Sequence, residues 1–143
     1  MKLSTVCFKG NENPLFAVAG KMREDIFLCE QGFSVEYDDI DKEAYHVIVF
    51  DGDKPIATAR FYGDENPVHI GRVAVIKEYR KKGIGEYLMK STEAYAREKM
   101  GALSITLGAQ TRVSEFYKKC GYKEYGDEYM DEFCPHINMQ KKL

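Results

Sequence analysis

The hexapeptide Arg80-Lys81-Lys82-Gly83-Ile84-Gly85 constrains this chain more than any other stretch. An apolar run over residues 70–76 leads into it, and an amphipathic segment over residues 84–100 leads out. That order reads as a strand, a basic glycine-bearing turn and a helix N-terminus. Such a turn attracts anions. The first N–H groups of a helix have no intrahelical acceptor and sit at the positive end of the macrodipole. Glycines let the backbone approach a phosphate closely, and Arg80, Lys81 and Lys82 add charge beside those amides. The expected ligand therefore carries a phosphate or pyrophosphate. Two common phosphate motifs are excluded. A P-loop needs Gly-Lys-Ser/Thr after four spacers, and a dinucleotide fingerprint needs a third glycine where Leu88 stands.

Length and charge narrow the class. At 143 residues the chain is expected to form one domain, residues 1–143, large enough to bury roughly two thirds of its unfolded surface. A net charge of −2 gives no electrostatic reason to bind nucleic acid. Cys7, Cys29, Cys120 and Cys134 are far apart and make no Cys-x-x-Cys pair, which argues against zinc or thioredoxin-type chemistry. Cys134-Pro135-His136 offers two ligands without partners, so no metal is expected. No signal peptide opens the chain and no apolar stretch approaches ~18 residues. The expectation is a soluble cytoplasmic protein with free thiols and no membrane partner.

The hydrophobic pattern is mixed α/β. Residues 3–9 read as a strand and 14–29 as a helix, with Leu15, Val18, Met22, Ile26 and Cys29 near helical spacing. An acidic loop follows, with Glu36, Asp38, Asp39, Asp41 and Glu43. Strands are expected at 44–50 and 56–62, joined by the turn Asp51-Gly52-Asp53-Lys54-Pro55, and at 68–76. On the long helix, Ile84, Leu88, Ser91 and Tyr95 form the expected core stripe, broadened by Tyr87 and Ala94, and Gly101 ends it. Residues 103–107 read as a strand and 113–120 as a short helix. A closing pair of strands is expected within 122–139.

Arg-x-x-Gly-x-Gly between a strand and a helix resembles the acyl-coenzyme A signature of the GNAT family of N-acetyltransferases, usually written Gln/Arg-x-x-Gly-x-Gly/Ala. The element order is similar to that fold across nearly the whole chain. The resemblance implies a mixed α/β (α+β) sheet in which two neighbouring parallel strands splay apart around the pantetheine arm of the cofactor. It implies that backbone groups of Val73 and Val75 hold the pantetheine. The pyrophosphate falls to Arg80, Lys81, Lys82, Gly83, Ile84 and Gly85. The segment Phe116-Tyr117-Lys118-Lys119-Cys120-Gly121-Tyr122 is similar to the family's aromatic-Tyr-x-x-x-Gly-aromatic stretch. Tyr117 is thereby the candidate acid that protonates the leaving thiolate, a role a phenol with a reference pKa of about 10 can fill. Gln110 stands where the family usually places an Asn that touches the pantetheine. Glu30-Gln31, Ala109-Gln110 and Pro135-His136-Ile137-Asn138-Met139 together look like the ElaA/YjcF-like subgroup.

The implied activity is acetyl transfer from acetyl-coenzyme A to a primary amine, of a small molecule before a protein. The amine attacks directly within a ternary complex, and no metal takes part. A non-catalytic acyl-coenzyme A-binding or sensor domain of the same fold is the alternative. Many relatives deprotonate the amine with a Glu on the splayed strand, and Val68-His69-Ile70-Gly71-Arg72-Val73 has none. His69 and His136 are the candidate bases, since imidazole titrates near neutrality, with Glu36 and Glu132 beside them. Glu36 and Asp38 of the acidic loop are candidate contacts for a cationic acceptor. Relatives are often dimers, so a homodimer is within expectation, although no heptad or exposed apolar stripe demands one.

Overall fold

The computed structural model describes residues 1–34 and 37–143. All strands join one seven-stranded mixed sheet in the order β1-β2-β3-β4-β5-β7-β6. β1 (Leu3–Lys9), β2 (Tyr45–Asp51), β3 (Lys54–Gly63) and β4 (Val68–Val75) run as an antiparallel meander. The helices cover this half on both faces. Val47 and Val49 of β2 pack with Ile84 and Leu88, while Ile48 packs with Phe8, Ala19 and Met22 on the other side. Alternate side chains point to opposite faces, so burying both faces calls for the continuous apolar runs seen in β2 and β3.

The first helical segment departs from its expected form. α1 (Leu15–Arg23) gives way to a π-helical stretch, Glu24–Glu30, instead of continuing to residue 29 as one α-helix. The Gln31 N–H donates to the Ile26 carbonyl at 2.9 Å, five residues back. The wider turn takes Cys29 out of the expected stripe, and it is exposed. Such stretches are uncommon and often mark functional sites.

α2 (Ile84–Met100) also turns a different face inward. The row Ile84, Leu88, Thr92, Ala96 is buried together with Met89 and Glu93, whereas Ser91 and Tyr95 are half-buried and Ala94 is exposed. Two polar residues enter the interior because their hydrogen bonds are met. Thr92 Oγ1 donates to the Leu88 carbonyl at 2.7 Å, and Glu93 accepts from the Tyr122 hydroxyl at 2.7 Å and from Lys141 at 2.9 Å. A pattern read from apolar residues alone misses both. β5 (Ser104–Gln110) extends past its expected end. α3 (Ser114–Lys119) is shorter than expected, since residues 111–113 form a 3-10 turn ahead of it. β6 (Lys123–Asp131) and β7 (Cys134–Lys142) close the sheet.

β4 and β5 are the parallel pair, joined in register only at Val68↔Ile105 and His69↔Thr106. Beyond that point β5 keeps its antiparallel partner β7 as far as Gln110↔His136, while β4 stays with β3. The two strands therefore diverge, and among the described residues the edge of β4 after His69 has no strand partner on that side. β4 also carries a bulge. Arg60 faces Gly71 and Thr58 faces Ala74, so β4 has one residue more than β3 over this interval. Arg72, inside the bulge, has φ 51°, a left-handed conformation rarely held by a residue with a side chain.

Candidate active site

A 3-10 turn, Lys77–Tyr79, links β4 to the basic turn, which lies at the open end of the wedge between β4 and β5. Gly83 precedes the first turn of α2 with φ 79°, which a glycine holds without strain. Gly85 serves a different need. A Cβ there would lie 2.9 Å from two ring atoms of Phe116, so the missing side chain lets α3 dock against the start of α2. Phe116 adjoins Tyr117, and this contact couples the anion turn to the candidate acid. Lys81 and Lys82 are exposed and make no ion pair among the described residues, although the Lys82 ammonium sits 5.5 Å from the centre of the Tyr79 ring. Ile84 is buried and belongs to the core.

Arg80 is engaged on every side. Its Nε donates to the Val75 carbonyl at 2.9 Å, and its two Nη atoms form a fork with the Glu30 carboxylate, Nη2 to Oε2 being 2.9 Å. This bonding holds the Glu30 carboxyl below its usual range and raises Arg80. The neighbouring Gln31 reaches the other wall of the wedge, its Oε1 accepting from Gln110 Nε2 at 2.9 Å. The second end of the Gln110 amide accepts from Arg112 Nε at 2.9 Å. Next to these contacts lies a cavity of about 430 Å³, lined by Glu30, Gln31, Phe33, Gln110, Arg112 and Pro135 among others. Val73 and Val75 are half-buried against the core.

Tyr117 is buried between Phe116, 5.0 Å away ring to ring, and Tyr122, 6.1 Å away, both edge-on. Its hydroxyl makes no hydrogen bond among the described residues. Burial, with a smaller contribution from Cys120, pushes its pKa well above the ordinary tyrosine value. The phenol is therefore protonated at neutral pH and has a donor to give.

The acidic loop is less free than its composition implies. Asp41 is sealed between Arg23, at 3.0 and 3.1 Å, and Arg60, at 2.9 Å. Burial alone would raise its pKa, but bonding to the two guanidinium groups outweighs that and keeps it low. Asp38 accepts from Arg60 at 2.7 and 3.0 Å and from Arg72 of the bulge at 3.4 Å. Its pKa is lowered, first by the Arg60 bond. Three arginines, Arg23, Arg60 and Arg72, thus lie against Asp38 and Asp41, so Asp38, a candidate acceptor contact, is already matched in charge. Glu36 lies outside the described residues.

The two histidines differ sharply. His69 is exposed, stacked on Tyr62 at 5.2 Å, where β4 is still paired with β5. His136 is buried, with Tyr129 and Phe33 as ring neighbours at 5.7 and 6.4 Å. Its Nδ1 is 3.0 Å from the Cys134 carbonyl, which can only accept. Nδ1 thus carries the proton and leaves Nε2 unprotonated in the neutral ring. Glu132, the other candidate base, accepts from the Ser34 N–H at 3.0 Å and from the Ser34 hydroxyl at 2.8 Å.

Known proteins place this arrangement. The family model described as an acetyltransferase (GNAT) domain matches residues 28–143. The chain belongs to the GNAT acetyltransferase family. As a GNAT domain it is an acyltransferase. It is 35% identical over 123 residues to a Bacillus subtilis protein named uncharacterized N-acetyltransferase YjcF, with 84% of this chain and 87% of that protein covered. The crystal structure of Escherichia coli ElaA superposes with a TM-score of 0.87 at 25% identity, covering 98% of this chain and 99% of that one. An acyl-CoA N-acyltransferase from Pseudomonas aeruginosa shares the fold, with a TM-score of 0.88 at 24% identity and the same coverage.

Several residues at this GNAT site carried no role from sequence. Periodicity assigns Arg23 and Arg60 no role, although an arginine inside an apolar strand such as Ala57-Thr58-Ala59-Arg60-Phe61 calls for a buried counter-charge. The nearby acidic loop was the place to look for it. Arg72 drew no attention because a bulge has no signature in periodicity. Glu30 and Gln31 were visible as a family mark, yet nothing in the sequence says that they reach Arg80 and Gln110. Among the described residues no group of three or more His, Cys, Asp or Glu side chains could hold a metal ion, and no helix is long and apolar enough to cross a membrane.

Proposed function

We propose that this GNAT acyltransferase moves an acetyl group from acetyl-coenzyme A to a primary amine of a small molecule, with both bound in one complex. The wedge carries this reading. Two parallel strands part beside a basic turn, and a buried tyrosine with an unpartnered hydroxyl adjoins that turn through Phe116. The donor set suits an acyl-coenzyme A. Lys81, Lys82 and the first-turn amides around Gly83, Ile84 and Gly85 offer positive charge to a pyrophosphate. The unpaired edge of β4, with Val73 and Val75, offers backbone groups to an extended amide-bearing arm.

The co-substrate supplies an acyl thioester. In this reading the strand amide of Val73 or Val75 holds its carbonyl oxygen as negative charge gathers there. Tyr117 gives its proton to the departing sulfur. His136 is the favoured base, because its tautomer leaves Nε2 free to take a proton from the amine, whereas His69 is stacked at the closed end of the wedge. Asp38, held by Arg60 and Arg72, is the candidate acceptor contact on the loop. Residues 1–143 act as one catalytic domain in this reading.

The thermal midpoint of the purified protein with and without excess acetyl-coenzyme A tests it. A ligand at 100 times its dissociation constant adds about 2.7 kcal/mol, and a chain this long should then melt on the order of 5–10 °C higher. An unchanged midpoint at millimolar acetyl-coenzyme A would count against the reading.

A further inference from the structure

Glu30 and Gln31 are consecutive residues at the end of the π-helical stretch, and their side chains go to opposite walls of the wedge. Glu30 takes Arg80, just beyond β4, and Gln31 takes Gln110, the last residue of β5. These walls share no strand pairing after His69 and Thr106. The only side-chain bridge described between them at the open end runs through residues 30 and 31.

The chemistry at Arg80 points the same way. A carboxylate in contact already matches its charge, and its Nε is spent on the Val75 carbonyl. Lys81 and Lys82 next to it make no ion pair among the described residues. An incoming phosphate meets free charge at the two lysines and a neutral pair at Arg80.

We propose that Glu30 and Gln31 form a clasp that sets the width of the wedge, and that Glu30 makes Arg80 a strut of the coenzyme A site instead of a phosphate ligand. This rests on the functional reading above and refines it by giving Arg80 and its neighbours different tasks. Glu30 acts as a positioning residue. It holds Arg80, Arg80 holds the Val75 carbonyl, and the end of β4 is fixed where the cofactor arm must lie.

Calorimetric titration with coenzyme A at low and high salt tests the clasp. Glu30→Ala and Arg80→Ala should each weaken binding severalfold, up to about fivefold, the value of one exposed ion pair. Combining them should add little, since each removes the same interaction. Glu30→Gln, which keeps the volume and one acceptor, should fall between wild type and Glu30→Ala. Salt should weaken binding to these variants as steeply as to wild type, whereas Lys81→Ala with Lys82→Ala should flatten the salt dependence. Tighter binding by Glu30→Ala would overturn the proposal, because Glu30 would then compete with the phosphates. A flattened salt dependence in Arg80→Ala, with Glu30→Ala unchanged, would also overturn it and make Arg80 a phosphate ligand. If the unaltered protein binds no coenzyme A, the functional reading fails and the clasp fails with it. Binding by wild type that all the Glu30 variants share unchanged removes the clasp alone.

Discussion

Arginine meets carboxylate in two places in this protein, and the two places do different work. Arg23, Arg60 and Asp41 are sealed, with side chains at most 4% exposed. Arg80 and Glu30 stand at the surface, 36% and 39% exposed. Breaking the sealed set takes the shared carboxylate away from buried guanidinium groups that water does not reach. Breaking the surface pair leaves both groups hydrated. Similar chemistry thus holds the fold in one region and, in the proposed clasp, holds the end of a strand in the other.

The largest effect should come from the sealed set. Asp41→Ala removes the buried carboxylate that Arg23 and Arg60 share, leaving Arg60 with Asp38, and should cost about 3–5 kcal/mol, read as a lower urea midpoint at neutral pH. A loss below 1 kcal/mol would mean that the region is hydrated in solution and that the contrast is false. Gly85→Ala should cost about 1–3 kcal/mol, since the new methyl overlaps the Phe116 ring. It should also lower turnover by moving Tyr117.

Acid separates the two regions further. His46, whose Nε2 lies 3.1 Å from the Asp41 carbonyl, has its pKa lowered chiefly by burial. The unfolded chain therefore takes that proton first, and stability begins to fall below about pH 6.5. Asp38 and Asp41 have folded pKa values below their unfolded ones. Their contribution is intact above about pH 4 and is lost as pH falls further. Urea midpoints should decline in these two stages, and His46→Gln should remove the first. A single decline below pH 4 in the unaltered protein would contradict the burial of His46. Smallest of all should be the stability cost of Glu30→Ala, about 0–1 kcal/mol for an exposed pair. Set against a severalfold loss of coenzyme A affinity, that small cost would sharpen the contrast most.

Much of the fold was legible because its signals are local. The glycines at 83, 85 and 101, the turn at 51–55 and the apolar runs each act within a few residues. The wedge was legible only through family likeness, since strand divergence depends on which neighbour each strand keeps. What stayed hidden required distant residues to meet. Arg80 and Glu30 are 50 positions apart, and Gln110 and Gln31 are 79 apart. The π-helical stretch was hidden for another reason. Its hydrophobic spacing fits an α-helix as far as Cys29, and the change shows only in the Gln31–Ile26 hydrogen bond and the exposure of Cys29.

The proposed reaction is acyl transfer with Tyr117 as the acid. The most direct measurement follows release of the coenzyme A thiol from acetyl-coenzyme A across a panel of primary amines, for wild type and Tyr117→Phe. The account predicts amine-dependent release by wild type and a loss of about 100-fold or more in turnover for Tyr117→Phe, with coenzyme A affinity retained. Equal turnover by the two proteins, or no amine-dependent release at saturating acetyl-coenzyme A, would contradict it.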